Sequence, residues 1–181
     1  MKALDPDGVV DQRLVAEPAD PPRAEVRRLF SEHGPALYRF CRAMLGHATD
    51  AEDIVQDTFL KLLQHLQAGG DRSNLRAWLF AVAANACRDR GRWRMRWLPW
   101  KTELDTRTVD PEPDSLSSDR RRALRALKTL GRRDRMLISL RAQGLSYRDM
   151  ASAAAIAEPS VGRLLARAVD RWKRALGSEE P

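Results

Sequence analysis

Little in this chain of 181 residues equips it for catalysis, export or life in a membrane. It has two cysteines, Cys41 and Cys87, which form neither a framework of bridges nor a pair at metal-ligand spacing, and which suit a reducing compartment. The three histidines, His33, His47 and His65, are scattered with no nucleophile or second ligand in register. There is no glycine-rich phosphate loop, nucleophile elbow or His/Cys cluster, so neither an enzyme nor a cofactor is expected. No eighteen apolar residues run together, and the first 23 residues hold no apolar run of signal-peptide length; the expectation is a cytoplasmic protein without membrane insertion. Strand-period alternation of useful length is also missing, which leaves an all-α fold.

What the chain has is charge, unevenly placed. From Met1 to Leu66 there are 8 Lys/Arg against 11 Asp/Glu, and from Gln67 to Pro181 there are 24 against 14. An acidic front and a basic remainder suggest a protein partner for one part and a polyanion for the other. The concentration peaks in "RDRGRWRMRWLPW", Arg88 to Trp100, where five arginines and three tryptophans share thirteen residues.

Two segments lack periodicity. Residues 1–23 carry four prolines and five carboxylates and read as a flexible leader. Residues 98–119 carry three prolines and six acids against two bases, and read as a flexible acidic linker. Two small helical domains flank it, 24–97 and 120–176, followed by a short tail, 177–181. In the first, apolar residues from Val26 to Leu45 recur at helical spacing, Phe30 among them, and Gly34-Pro35 marks a kink or restart. "TDAEDIVQDTFLKLLQHL" opens with Thr49 and Glu52 at capping-box spacing. Its apolar stripe is Ala51, Ile54, Val55, Thr58, Phe59, Leu62, Leu63 and Leu66. The opposite face presents Glu52, Asp53, Gln56, Asp57 and the stray Leu60, a pattern open to a solvated face or to a basic protein partner with Leu60 as anchor. Asp50, Asp53 and Asp57 share that side, but no Glu-x-x-His pair accompanies them and no metal is expected. After "QAGGDRSN", with Ser73 or Asn74 as a cap, a helix carries Leu75, Trp78, Leu79, Val82 and Ala86; beyond Cys87 its stripe fades and it projects charge.

The second domain ends in two helices joined by the turn Ala155-Ile156-Ala157, the first opened by Ser146 and Asp149 and the second by Pro159. The last helix turns Val161, Leu164, Leu165, Ala168 and Trp172 inward and Ser160, Arg163, Arg167, Arg171 and Arg174 outward. Arginines at i, i+4, i+8 and i+11 after a three-residue turn suit a helix-turn-helix that lays its second helix in the major groove.

Taken together, "DAEDIVQDTFLKLLQHL", "NLRAWLFAVAANACRDRGR", an acidic linker and "GLSYRDMASAAAIAEPSVGRLLARA" resemble, in that order, a bacterial RNA polymerase sigma factor of the extracytoplasmic-function (ECF) group of the sigma-70 family. The resemblance spans about Ala24 to Leu176. It implies that the chain binds core polymerase at the clamp helices of the largest subunit, by Asp50, Asp53, Gln56, Asp57 and Leu60, and at the flap. It further implies that the loop with Gln67, Asp71, Arg72 and Asn74 captures a base flipped from the minus-ten element, and that Asn85, Arg88, Asp89 and Arg92 follow the non-template strand, with the tryptophans available for stacking. The minus-thirty-five element would be read by Arg148, Ser160, Arg163, Arg167 and Arg171, while the linker threads toward the polymerase active site. A monomer when free is implied, with room for an anti-sigma factor as partner. The chain departs from the family at the turn, where Ala155 replaces the usual glycine, and on the reading helix, where Gly162, Arg163 and Leu164 stand for a frequent Lys-Ser-Arg. The alternative is a helix-turn-helix regulator acting on operator DNA without polymerase.

Overall fold

In the computed structural model, residues 20–97 and 117–178 are described; the leader up to residue 19, the acidic segment 98–116 and residues 179–181, with the flexibility expected of the first two, lie outside them. Seven helices make up the described residues, and they fall into two clusters. Helix α1, Pro21–Leu45, starts earlier than the sequence suggests because Pro21 and Pro22 sit in its first turn, where a missing N–H costs nothing. It runs unbroken through Pro35. A proline inside a helix costs about 3 kcal/mol, but its ring here faces solvent, and Leu29 before it and Leu37, Phe40, Cys41 and Met44 after it are all buried in one core, which outweighs the lost bond. Gly46, left-handed at φ 83°, ends α1 by donating its N–H to the Arg42 carbonyl at 2.9 Å.

Helix α2, Ala48–Gln67, begins directly after His47, so the expected capping box is displaced: Thr49 already lies within the first turn. Helix α3, Leu75–Trp97, is capped by Asn74, whose side-chain oxygen accepts the Ala77 N–H at 3.0 Å. Phe40 and Phe80 meet edge to face at 5.6 Å where these three helices converge. Cys41 and Cys87 are buried in the same place; hydrogen bonding between the two thiols, and then burial, push the Cys41 thiol well above its ordinary range, which keeps it unreactive.

The second cluster comprises α4 (Ser118–Thr129), α5 (Arg132–Ala142), α6 (Tyr147–Ala154) and α7 (Glu158–Gly177). Ser117 caps α4 through its hydroxyl, so the helix reaches two residues into the segment expected as linker. At α6 the Ser146 hydroxyl accepts the Asp149 N–H at 3.2 Å, the cap expected from this pair, and donates to the Asp149 carboxylate at 2.7 Å, so the carboxylate meets the hydroxyl where a full capping box would have it accept the Ser146 N–H. The turn into α7 requires Ala155 at φ 54°, ψ 52°, the one non-glycine residue with positive φ among those described. A Cβ in that conformation costs on the order of 1 kcal/mol. Ala155→Gly should therefore raise stability by about 0.5–1 kcal/mol, seen as a melting temperature higher by a few degrees; an unchanged or lower midpoint would show that the turn is not strained.

The two clusters share one apolar core. Helix α6 lies against α3 and α5 against α1, and Met136, Leu137, Leu140, Leu145, Met150, Ala151 and Ala153 belong to the same buried set as Leu37, Phe40, Leu79 and Phe80. Small buried residues on α3, Ala83, Ala84 and Gly91, permit the close approach. Arg88 is half-buried against this second cluster, and Arg90 is half-buried against α2. The expectation that α3 simply projects charge beyond Cys87 does not hold for this stretch, since the second cluster covers part of it.

Candidate nucleic-acid interface

Helix α2 buries Ala51, Ile54, Val55, Thr58, Phe59, Leu62 and Leu66 and thereby commits Glu52, Asp53, Gln56, Asp57 and Leu60 to the outside. Leu60 is 59% exposed, among the most open large apolar side chains described. Asp50 is different. Its half-buried carboxylate accepts an ion pair from Arg90 of α3 at 3.1 Å, and the other end of the same guanidinium stands 3.7 Å from Asp53. Asp50 thus ties α2 to α3, whereas Asp53 is shared between the body of the protein and the surface. Among the described residues no three His, Cys, Asp or Glu converge as metal ligands would. Beside this face lies an open cleft of about 500 Å³, lined by Phe30, Tyr38, Glu52, Val55 and Gln56 among others. Phe30, read from sequence as part of the inner stripe, is half-exposed in that cleft and packs edge to face on Phe59 at 5.0 Å. Nothing in helical spacing separates such a rim position from a core one.

The loop from Gln67 to Asn74 is ordered by its own polar groups. The Asp71 carboxylate accepts from the Ser73 N–H at 2.9 Å and from its hydroxyl at 2.8 Å, and these bonds, the amide's first, hold its carboxyl below the usual range. Arg72 reaches Glu25 of α1 at 2.8 Å. Gln67, Asp71, Arg72 and Asn74 are all exposed. Asn74 and α3 then meet the second cluster. The Asn74 amide donates to Asp149 at 3.2 Å, Arg76 donates to the Gln143 carbonyl, and Arg88 donates to the Ala153 carbonyl and to Asn85. Arg92 pairs with Asp89 one turn back, both exposed. The structure therefore brings Asn74, Asn85, Arg88, Asp89 and Arg92 along one helix, with Asn74 and Arg88 already engaged. The side chains of Trp93 to Trp97, and all of Trp100, lie outside the described residues, as does the choice between stacking and core-closing roles for these tryptophans.

On the second cluster, Arg148, Arg163 and Arg167 are exposed and Ser160 half-exposed. Sequence reasoning passed over Tyr147, also exposed: the guanidinium of Arg141 lies 5.9 Å from its ring centre, and Gly162 leaves space for its edge on α7. Arg171 is exposed as well, its side chain 46% open, but it is already engaged. It pairs with Asp134 of α5, a carboxylate only 7% exposed, while the next residue, Trp172, donates its indole N–H to the Ala123 carbonyl at 3.0 Å. Arg135 is the inward arginine of this cluster: it donates to the Lys128 and Leu130 carbonyls, and burial lowers its pKa. Removing Arg171 leaves a buried carboxylate without its main partner, which costs about 1–3 kcal/mol. Arg171→Ala should accordingly lower the melting temperature, whereas Arg163→Ala and Arg167→Ala, whose side chains point to solvent, should leave it within about 0.5 kcal/mol of the parent. Equal stability in all three variants would show that the pair with Asp134 contributes nothing to the fold.

Known proteins are similar to this chain in both sequence and fold. Residues 29–97 match the family described as sigma-70 region 2. The chain is 34% identical over 151 residues to the ECF RNA polymerase sigma factor SigL of Mycobacterium tuberculosis, covering 81% of this chain and 85% of that one. To the RNA polymerase sigma factor CarQ of Myxococcus xanthus it is 31% identical over 157 residues, 84% and 89% of the two chains. Among solved structures it is similar to the sigma factor RpoE in complex with the anti-sigma factor NepR from Bartonella quintana, with a TM-score of 0.68, 27% identity and coverage of 86% of this chain and 99% of that one. It is also similar to CnrH in complex with the cytosolic domain of CnrY, at a TM-score of 0.63 and 25% identity over 87% and 91% of the two chains.

Proposed function

Because this chain belongs to the ECF group of sigma-70 RNA polymerase sigma factors, and as such directs RNA polymerase to promoters without catalysis of its own, we propose a division of that task among its exposed surfaces. The outward face of α2, with Asp53, Gln56, Asp57 and Leu60, docks on the basic clamp helices of the largest polymerase subunit. What supports this is a row of exposed acids with one open leucine and an adjoining apolar cleft, a pattern suited to a rim of steering charge around an apolar anchor. Asp50 holds the helix in place for that contact through Arg90.

The loop with Gln67, Asp71, Arg72 and Asn74 takes the base flipped from the minus-ten element, and Asn85, Arg88, Asp89 and Arg92 guide the unpaired non-template strand along α3. Helices α6 and α7 form a helix-turn-helix that reads the minus-thirty-five element with Arg148, Ser160, Arg163, Arg167 and Arg171, the last of which also braces α7 on α5 through Asp134. The domain limits 24–97 and 120–176 describe this division, and the acidic segment between them runs toward the polymerase active site, where carboxylates stand in for RNA phosphates. Asn74 and Arg88 are both bonded to the second cluster, so holding the strand requires those bonds to be exchanged and the clusters to part. An anti-sigma factor, the partner of the sigma factor in one similar structure, is proposed as the regulator that favours the parted or covered state, and the cytoplasm as the place of action.

The observation that carries the reading is the outward face of α2, and the test is run-off transcription. Core RNA polymerase supplemented with this chain should start at discrete sites in a promoter library, with minus-ten and minus-thirty-five elements recovered upstream of each. Starts no different from those of core alone would overturn it.

A further inference from the structure

The loop proposed to capture the flipped base is held from behind by a side chain that no role has yet claimed. His65 sits in the last turn of α2 with its imidazole stacked on the indole of Trp78, 4.8 Å between centres and 28° between planes. Its Nε2 lies 2.9 Å from the carbonyl oxygen of Asp71 and donates to it in the tautomer protonated there. Gly70 passes so close that a Cβ at that position would collide with the imidazole ring, and the Gly70 N–H donates to the His65 carbonyl at 2.8 Å. The loop backbone is thus clamped at Gly70 and Asp71 by one ring, and that ring is fixed by an indole from α3. Downstream of the clamp, the bonds from Ser73 to Asp71 and the cap from Asn74 to Ala77 fix the rest of the loop up to the start of α3.

Extruding a base from the stack is itself unfavourable, and a loop that had to order itself on contact would add the entropy of that ordering. A pocket assembled in advance avoids the second term, and the shape of that pocket decides which base fits. We infer that His65 is a positioning residue that sets the conformation of the loop and, through it, the base preference at the flipped position of the minus-ten element. The inference rests on the reading of this loop as the base-capturing element.

Two substitutions separate the ring from its hydrogen bond. His65→Phe keeps a ring to stack on Trp78 and has no donor for the Asp71 carbonyl; His65→Gln keeps a donor and gives up the stack. Holoenzyme reconstituted from core RNA polymerase and each full-length variant is offered a promoter library randomised across the minus-ten element, and base selectivity is read by sequencing transcripts. Affinity for core polymerase and the melting midpoint are measured alongside. His65→Phe should lose on the order of tenfold in selectivity at one position, the worth of a single lost hydrogen bond, with core affinity and midpoint near those of the parent, and His65→Gln should retain most of it. Full selectivity in His65→Phe would overturn the proposal, and so would equal losses at every position together with weaker core binding, since that describes general destabilisation. A control with Asp71→Ala and Arg72→Ala distinguishes the underlying reading: if that pair leaves selectivity unchanged, the loop does not capture the base; if the pair flattens it and His65→Phe does not, the assignment of His65 alone fails.

Discussion

Asp53→Arg combined with Asp57→Arg should reduce affinity for core RNA polymerase by at least about a hundredfold while the free chain remains helical and monomeric. The two carboxylates are one turn apart on the open face of α2. Placing a cation against a basic partner at a desolvated contact costs several kcal/mol, and each 1.4 kcal/mol is about tenfold in affinity. The Asp53 change also sets an arginine beside Arg90, which stands 3.7 Å from the native carboxylate. Asp57→Arg alone is therefore the cleaner measure of docking, and thermal melts of both variants separate a lost partner from a loosened helix pair. Co-elution titration that shows unchanged affinity would remove this face from the polymerase contact.

A second large effect is expected from the arginine-rich end of α3. Converting Arg92, Arg94 and Arg96 to glutamine should lower open-complex formation on the order of a hundredfold at low salt, with core binding close to that of the parent. Each phosphate contact contributes about 0.7 to the slope of log K against log salt on a single strand, so three lost contacts should make that dependence shallower by about two. The deficit narrows as salt rises, because the parent loses the same ion-release contribution that the variant never had. Permanganate reactivity of promoter thymines, followed across a salt series, reads both magnitude and slope. If the promoter opens as fully in the triple variant, these arginines are a solvated tail.

Much of the first cluster could be read from sequence because α2 is buried on one side only. A helix with one wet face writes its burial as a stripe, and every residue of the expected stripe except the half-buried Leu63 is buried. The α6–α7 pair follows less fully: Ser146 and Pro159 open their helices and Val161, Leu165 and Ala168 are buried where spacing puts them, while Leu164 and Trp172 of the same stripe are half-buried. Helix α3 is the contrary case. It contacts α1 and α2 on one side and α6 on another, so Ala83, Ala84 and Gly91 are buried without forming a single stripe, and the pattern past Cys87 reads as though it had ended. Charged partners were the least legible. Asp134 in "GRRDR" looks like part of a surface run, yet it is buried and paired with Arg171, thirty-seven residues away; Arg90 looks like one more strand-holding cation, yet it closes on Asp50 and Asp53. Helical periodicity states that a side chain faces in or out, and says nothing about which carboxylate waits opposite.

If the clusters part for activity, as proposed, the apolar core that runs through both of them sets stability against activity. A chain whose competent form is the parted one binds its polymerase with an affinity reduced by the fraction of molecules that are parted at equilibrium. The buried side chains of the shared core, Met136 and Met150 among them, stabilise the free protein, and whatever part of that stability spans the seam depletes that fraction by the same free energy. Each 1.4 kcal/mol gained by the shared core makes the chain about ten times more reluctant to engage. Substitutions that loosen the seam between α3 and α6 would then yield a less stable protein and a more ready initiator.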